Sequence, residues 1–174
     1  MLFRELRRKK QQLQESTCKE ILRKRTSGVL AVLGDGGYPY AVPLSYVYTG
    51  QSIFFHCALA GHKLDAIARE DKVSFCVIDR DDVQPQTYTT HFASVIVFGR
   101  IRILQEAAAK RQALVKLAAR YSPEHEEGRQ REIQRFFDKV CVLELRIEHM
   151  CGKQAKELMQ SGPSAAEQGS SASS

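Results

Sequence analysis

Residues 52–70, Ser-Ile-Phe-Phe-His-Cys-Ala-Leu-Ala-Gly-His-Lys-Leu-Asp-Ala-Ile-Ala-Arg-Glu, hold the densest grouping of side chains able to do chemistry. Ile53, Phe54 and Phe55 read as a short buried strand that ends in the polar pair His56 and Cys57. Gly61-His62-Lys63 then opens a segment with Leu64, Ile67 and Ala68 at helical spacing. A strand that runs through a Gly/His/Lys loop into a helix start suits an anion. Unpaired backbone N–H groups and the positive end of the helix dipole face it, and Lys63 adds a mobile charge. The same residues admit a plainer reading, with Lys63 on a solvated helix turn, His56 a hydrogen-bonded core histidine and Cys57 a packed thiol.

Other chemistries are less well supplied. His62 and His91 form no close-spaced ligand pair with His56, so no metal site is expected. The five cysteines, Cys18, Cys57, Cys76, Cys141 and Cys151, are odd in number and contain no C-x-x-C pair, which disfavours a disulfide framework. Reduced thiols in a cytoplasmic protein are the default. The formal charge of +6 comes largely from Arg7 to Lys10 and from Arg23-Lys24-Arg25. No aromatic residues interleave with these clusters as in single-strand binders, so no nucleic-acid partner is expected. No apolar run approaches the roughly 20 residues of a membrane span, and the N-terminal stretch lacks the apolar core of a signal peptide.

The elements that must position the 52–70 stretch can be read in order. A helix from about Thr17, where Thr17-x-x-Glu20 has capping-box form, reaches Lys24. Gly28 to Leu33 reads as a strand, Asp35-Gly36-Gly37 as a hairpin turn, and Pro39 to Tyr48 as an edge or bulged strand because Pro43 cannot donate to a ladder. After a helix from Gly61 to Glu70 come a strand over 73–78, a polar loop over 79–89 and a long strand from His91 to Leu104, bent at Gly99. An Ala-rich packing helix (105–120), a more polar helix (129–137), a strand (140–148) and a helical turn within 153–159 follow. Two units are expected: a domain over 1–157 and a disordered Ser/Gly/Ala-rich tail over 158–174. This inventory predicts a mainly β protein, a six- to seven-stranded antiparallel barrel with peripheral helices, within the α+β range.

Four stretches in this order resemble the FMN-binding split-barrel family related to pyridoxamine 5′-phosphate oxidase, in its nitroimidazole-resistance (NimA-type) branch. They are Asp35-Gly36-Gly37-Tyr38-Pro39-Tyr40-Ala41-Val42-Pro43-Leu44, then Phe55-His56-x-Ala58-x-x-Gly61-x-Lys63, then Ser94-Val95-x-x-Phe98-Gly99, and Ile147-Glu148-x-x-Cys151-Gly152-Lys153. The resemblance implies a split β-barrel that binds FMN in a groove of a homodimer. It implies that Val42, Pro43, Leu44 and Ser45 line the flavin ring and that His56 and Cys57 continue that wall. Gly61, His62 and Lys63 would hold the phosphate, and Ser94 and Val95 would contact the flavin from the other side of the groove. His56 is then the candidate catalytic acid beside a small-molecule substrate.

The function implied is an FMN-dependent oxidoreductase, with nitroaromatic compounds as the candidate substrate class and a nicotinamide as the candidate electron donor. The alternative is a non-catalytic carrier of flavin, haem or another cofactor in the same groove. Met150 stands where the oxidase has tryptophan, and Gln154-Ala155-Lys156-Glu157 replaces its Arg-x-His motif. Pyridoxamine phosphate oxidation is therefore not carried over to this chain.

Overall fold

The computed structural model describes residues 3–159. In β1 (Ser27–Leu33), Leu30 and Val32 are buried while Val29 and Ala31 lie on the outer face. β2 (Pro39–Ser45) and β3 (Val47–Tyr48) keep one alternation through Tyr46. Tyr40, Val42, Leu44, Tyr46 and Tyr48 join the inner core, and Ala41, Pro43 and Ser45 are exposed. β4 (Ser52–Cys57) sends Ile53 and Phe55 inward and Phe54 outward. The long strands β5 (Lys72–Gln84), β6 (Thr89–Ile103) and β7 (Cys141–Gln154) complete the sheet.

The strand order is β2-β1-β5-β6-β7-β4-β3, with every pair antiparallel. β2 and β3 are one segment interrupted at Tyr46, so the two ends of that order meet and the sheet closes into a barrel. β7, the last strand of the barrel, lies between β6 and β4. The fold is thus the mainly β antiparallel split barrel with peripheral helices that the sequence predicts.

Two helices finish the inner core. α1 (Glu15–Lys24) contributes Cys18, Ile21 and Leu22, and α2 (His62–Arg69) contributes Leu64, Ala66 and Ile67, all in one cluster with Phe55, Phe75 and Leu143. α1 starts at Glu15 after Gln14, with no side-chain cap, so Thr17 lies inside the first turn and the expected capping box is not used. α3 (Ala107–Tyr121) and α4 (Glu126–Phe136) form a second cluster on the outer face. There Ala113, Leu114, Leu117 and Ile133 cover Phe54, Leu104 and Val142.

The bend expected at Gly99 is a register shift between Phe98 and Gly99. A Cβ at Gly99 would stand 2.0 Å from the Arg146 carbonyl oxygen, so only glycine lets β7 approach there. The polar loop expected over 79–89 is instead a hairpin arm. β5 continues past a register shift at Ile78/Arg80 to Gln84, and Thr89 to Ala93 pair back along it. The arm carries Asp81, Asp82 and His91 and has no buried face, so no hydrophobic alternation marked it as strand. β7 likewise runs to Gln154, six residues past the expected end. Residues 160–174, which carry nearly all of the expected tail, lie outside the described residues, whereas Leu158 and Met159 close a short helical turn from Lys156. Among the described residues no helix is long and apolar enough to cross a membrane.

Candidate functional site

The barrel is split on one side, and the cause is local. β3 pairs with β4 only at Val47↔Phe54 and Tyr48↔Ile53. Continuing that register would set Ser45 opposite His56, but the strands part at Tyr46. β2 instead pairs along its whole length with β1, from Ser27↔Ser45 to Leu33↔Pro39. Its other edge carries no ladder among the described residues. Pro43 is accommodated because an edge strand can lack a donor.

Tyr121, at the end of α3, fixes the parting point. Its hydroxyl accepts from the Tyr46 N–H at 2.8 Å and lies 2.5 Å from Thr26 O and 2.8 Å from Tyr46 O, to one of which it donates. The Tyr46 side chain is fully buried and donates to Leu22 O at 2.9 Å. Burial keeps its phenol protonated far above the usual range.

Ser45 and His56 both face outward beneath α3 and α4, where they share a cavity of about 450 Å³. Its apolar walls are Leu114, Leu117, Ala118, Ile133, Phe136 and Val140. Arg129 and Glu132 of α4 are its charged members. Arg129 is held in place by its Nη1, which donates to Ser122 O and Pro123 O at 2.6 Å each. None of these α3 and α4 residues was marked as functional by the sequence. They lie more than fifty residues from His56, and the apolar spacing of α3 announced only packing.

β4 has two faces, and they separate His56 from Cys57. Cys57 points into the barrel mouth opposite Cys141 of β7, so the two side chains cannot continue one wall as expected. The Cys57 and Cys141 thiols are cross-strand neighbours in the β4–β7 ladder. Burial pushes Cys57 up to about 11, against the pull of the nearby Lys63 ammonium. Burial also raises Cys141, opposed first by the neighbouring Cys57 thiol and then by nearby lysines. In β2, Val42 and Leu44 also face inward, so on the outer face they offer only backbone, whereas Pro43 and Ser45 present side chains there.

The loop after β4 delivers α2. Gly61 has φ +133° and ψ 165°, a conformation open to glycine and costly for other residues. Its carbonyl accepts from the Leu64 and Asp65 N–H groups, while the His62 and Lys63 N–H groups carry no backbone bond among the described residues. The Lys63 ammonium makes no ion pair or hydrogen bond among the described residues. The His62 ring is otherwise engaged. It stacks on Tyr40 with centroids 4.3 Å apart and accepts from the Asp35 N–H at 3.4 Å, and Asp35 also binds Arg69 at 2.6 Å. His62 therefore latches α2 to the β1–β2 turn, leaving its backbone N–H at the helix start.

Ser94 and Val95 do not join this group within one chain. Val95 is fully buried in the core, and Ser94 is paired with Ile78 and Lys153 on the outer face of β6. β1 and β5 separate β6 from β2, which puts Ser94 across the barrel from Pro43. Among the described residues no group of His, Cys, Asp or Glu could hold a metal ion.

A closed antiparallel sheet parted at one strand pair, with a cation-bearing helix start beside the parting, defines a split-barrel protein. The chain belongs to the pyridoxamine 5′-phosphate oxidase family (Pyridox_ox_2), which it matches over residues 14–154. No protein of curated function matches it. Among solved structures it is similar to a candidate 5-nitroimidazole antibiotic resistance protein from Bacteroides thetaiotaomicron. That pair has 17% identity and a TM-score of 0.69, over 82% of this chain and 86% of the other. A conserved hypothetical protein from Mycobacterium tuberculosis gives 17% identity and a TM-score of 0.73 over 90% and 94%. An FAD- and haem-binding protein from Mycobacterium smegmatis gives 19% identity and a TM-score of 0.70 over 84% and 74%. At these identities the likeness is one of fold.

Proposed function

We propose that the split is a flavin site, with FMN as the cofactor, and that the protein is an oxidoreductase acting on small aromatic molecules. The observation that carries this reading is the helix start at Gly61. It combines a glycine-only conformation with, among the described residues, two N–H groups without backbone bonds and a lysine ammonium without an ion pair, one loop away from an unladdered strand edge. A phosphate supplies the charge this arrangement lacks, and a flat heterocycle with hydrogen-bonding edges suits the β2 backbone. Bound there, the flavin would supply the electron or hydride transfer.

The chain's own residues hold and orient. Lys63 and the helix start take the phosphate; Pro43 and Ser45 bound the ring; the β2 backbone at Val42 and Leu44 meets its polar edge. His56 stands beside the second reactant as the candidate proton donor. Ser94 can reach such a ring only from a second copy, so the reading includes a homodimer. Ile78, Ile96 and Cys76, at least partly exposed on the outer face around Ser94, give that copy an apolar surface. Nitroaromatic compounds are the first substrates to try and a reduced nicotinamide the first donor, because one fold neighbour is a candidate nitroimidazole resistance protein.

The test is the visible spectrum and mass of what co-purifies, followed by titration. One FMN per chain is expected, and Lys63→Ala should weaken it by roughly ten- to hundredfold, the worth of one charge-assisted hydrogen bond. Unchanged affinity in that variant removes the phosphate assignment. Bound flavin that no nicotinamide reduces would leave a carrier in place of an enzyme.

A further inference from the structure

The cavity beneath α3 and α4 is more than the rim of a flavin groove, because most of its wall comes from helices that the split does not need. Elsewhere these helices seat tightly on the sheet through Ala113, Leu114 and Leu117 against Phe54 and Val142. Toward the split they stand off and leave about 450 Å³, at the small end of the range for small-molecule pockets. The opening is fastened at both helices, by Tyr121 on the Tyr46 backbone and by Arg129 on the carbonyls of Ser122 and Pro123. A cavity whose walls are pinned by hydrogen bonds is pre-formed.

Its chemistry narrows the ligand. The polar groups on the strand side are the Ser45 hydroxyl and the His56 imidazole, neither with a hydrogen-bond partner among the described residues. The charged groups, Arg129 and Glu132, are opposite in sign, and the Arg129 guanidinium is turned onto the backbone carbonyls of Ser122 and Pro123. A ligand with net charge would lose its hydration against six apolar side chains, and the cation in the wall, Arg129, has its Nη1 committed to backbone carbonyls. The slot lies between a strand face and two helices and has Phe136 in its wall, which favours a flat ring system over a branched chain.

We propose that this cavity is a binding site for an uncharged, flat aromatic compound of about two fused rings. The ligand's single polar substituent is hydrogen-bonded at the Ser45/His56 end. The proposal deepens the flavin reading, on whose placing of the second reactant beside His56 it rests, by naming that reactant's chemistry; the cavity itself is formed without the flavin.

The test uses the full chain as purified, titrated by calorimetry with 2-naphthol and, separately, with 2-naphthoate. Saturable binding of 2-naphthol at one per chain is expected, with 2-naphthoate weaker by about tenfold or more because its charge must be desolvated. Ala118→Phe, which fills the slot, should abolish binding. Val140→Phe does the same from the other side should the first variant fold poorly, with thermal melting as the check on both. His56→Ala should weaken 2-naphthol by about fivefold, the worth of one ordinary hydrogen bond. Absence of saturable binding, tighter binding of the naphthoate, or full binding by a folded filled-cavity variant overturns the proposal. Flavin content measured on the same samples separates the two readings. Naphthol binding in a chain without flavin keeps this one and removes the other, and bound flavin without naphthol binding does the reverse.

Discussion

Two irregularities of the barrel are put to opposite uses. At Phe98/Gly99 the β6 ladder slips by a residue, and the backbone of β7 closes over the gap so tightly that a single methyl group would collide with a carbonyl. At Tyr46 the β2–β3 segment leaves β4, and what replaces the missing strand pairing is a tyrosine hydroxyl from a helix end. The first defect is sealed by the sheet itself. The second is held open by a side chain from outside the sheet. A break in a ladder becomes a site when its polar groups are left for a ligand instead of being consumed by the neighbouring strand.

That contrast can be broken at either place. Gly99→Ala should be the most damaging change, costing about 3 kcal/mol because backbone must move to admit the Cβ. Denaturant unfolding measures it, and a near-neutral result would mean that the bulge is loose after all. Tyr121→Phe should cost about 1–2 kcal/mol by removing the hydroxyl from Tyr46, and should raise amide exchange at Tyr46 while leaving Gly99 protected. Equal effects on both regions would erase the distinction drawn between them.

The smallest effect concerns Cys57, beside the split. Its thiol loses its proton at about 11 in the fold and near the ordinary value of 9.0 in the unfolded chain. The unfolded state therefore gives up its proton first, and stability falls as pH rises from about 9 to about 11. Cys57→Ser should lessen that decline in a melting series without removing it, since burial raises Cys18 to about 11 as well, and alkylation of Cys57 should quicken about tenfold per pH unit between 7 and 10.

Much of the fold was legible because burial leaves a period. β1 and β4 were visible as apolar runs, and Gly99 was visible where a continuous run turns to alternation. The 79–92 arm was not, since a hairpin with both faces in water has no period to read. Its Val83 and Tyr88 are 65% and 97% exposed. In the site, Lys63 and Gly61 could be placed from sequence because a helix start is a local object. The opposed directions of His56 and Cys57 follow from strand parity, but which face lies under helices does not. Tyr121 reaches Tyr46 across 75 residues of sequence, and the apolar spacing of α3 reports only that a face is covered.

The place of β7 has a consequence for how the molecule comes together. β1 to β4 are consecutive and β5–β6 is a hairpin, so both sets can form from near neighbours. β7 must then thread between them, and pairs such as Ser52↔Arg146 join segments far apart in the chain. Such long loops are slow to close, which makes insertion of β7 the natural rate-limiting event in folding. His56 faces Val142 across that junction, so the site is assembled late. A nascent chain stalled before residue 141 would hold every residue of the Gly61 loop and still present no groove.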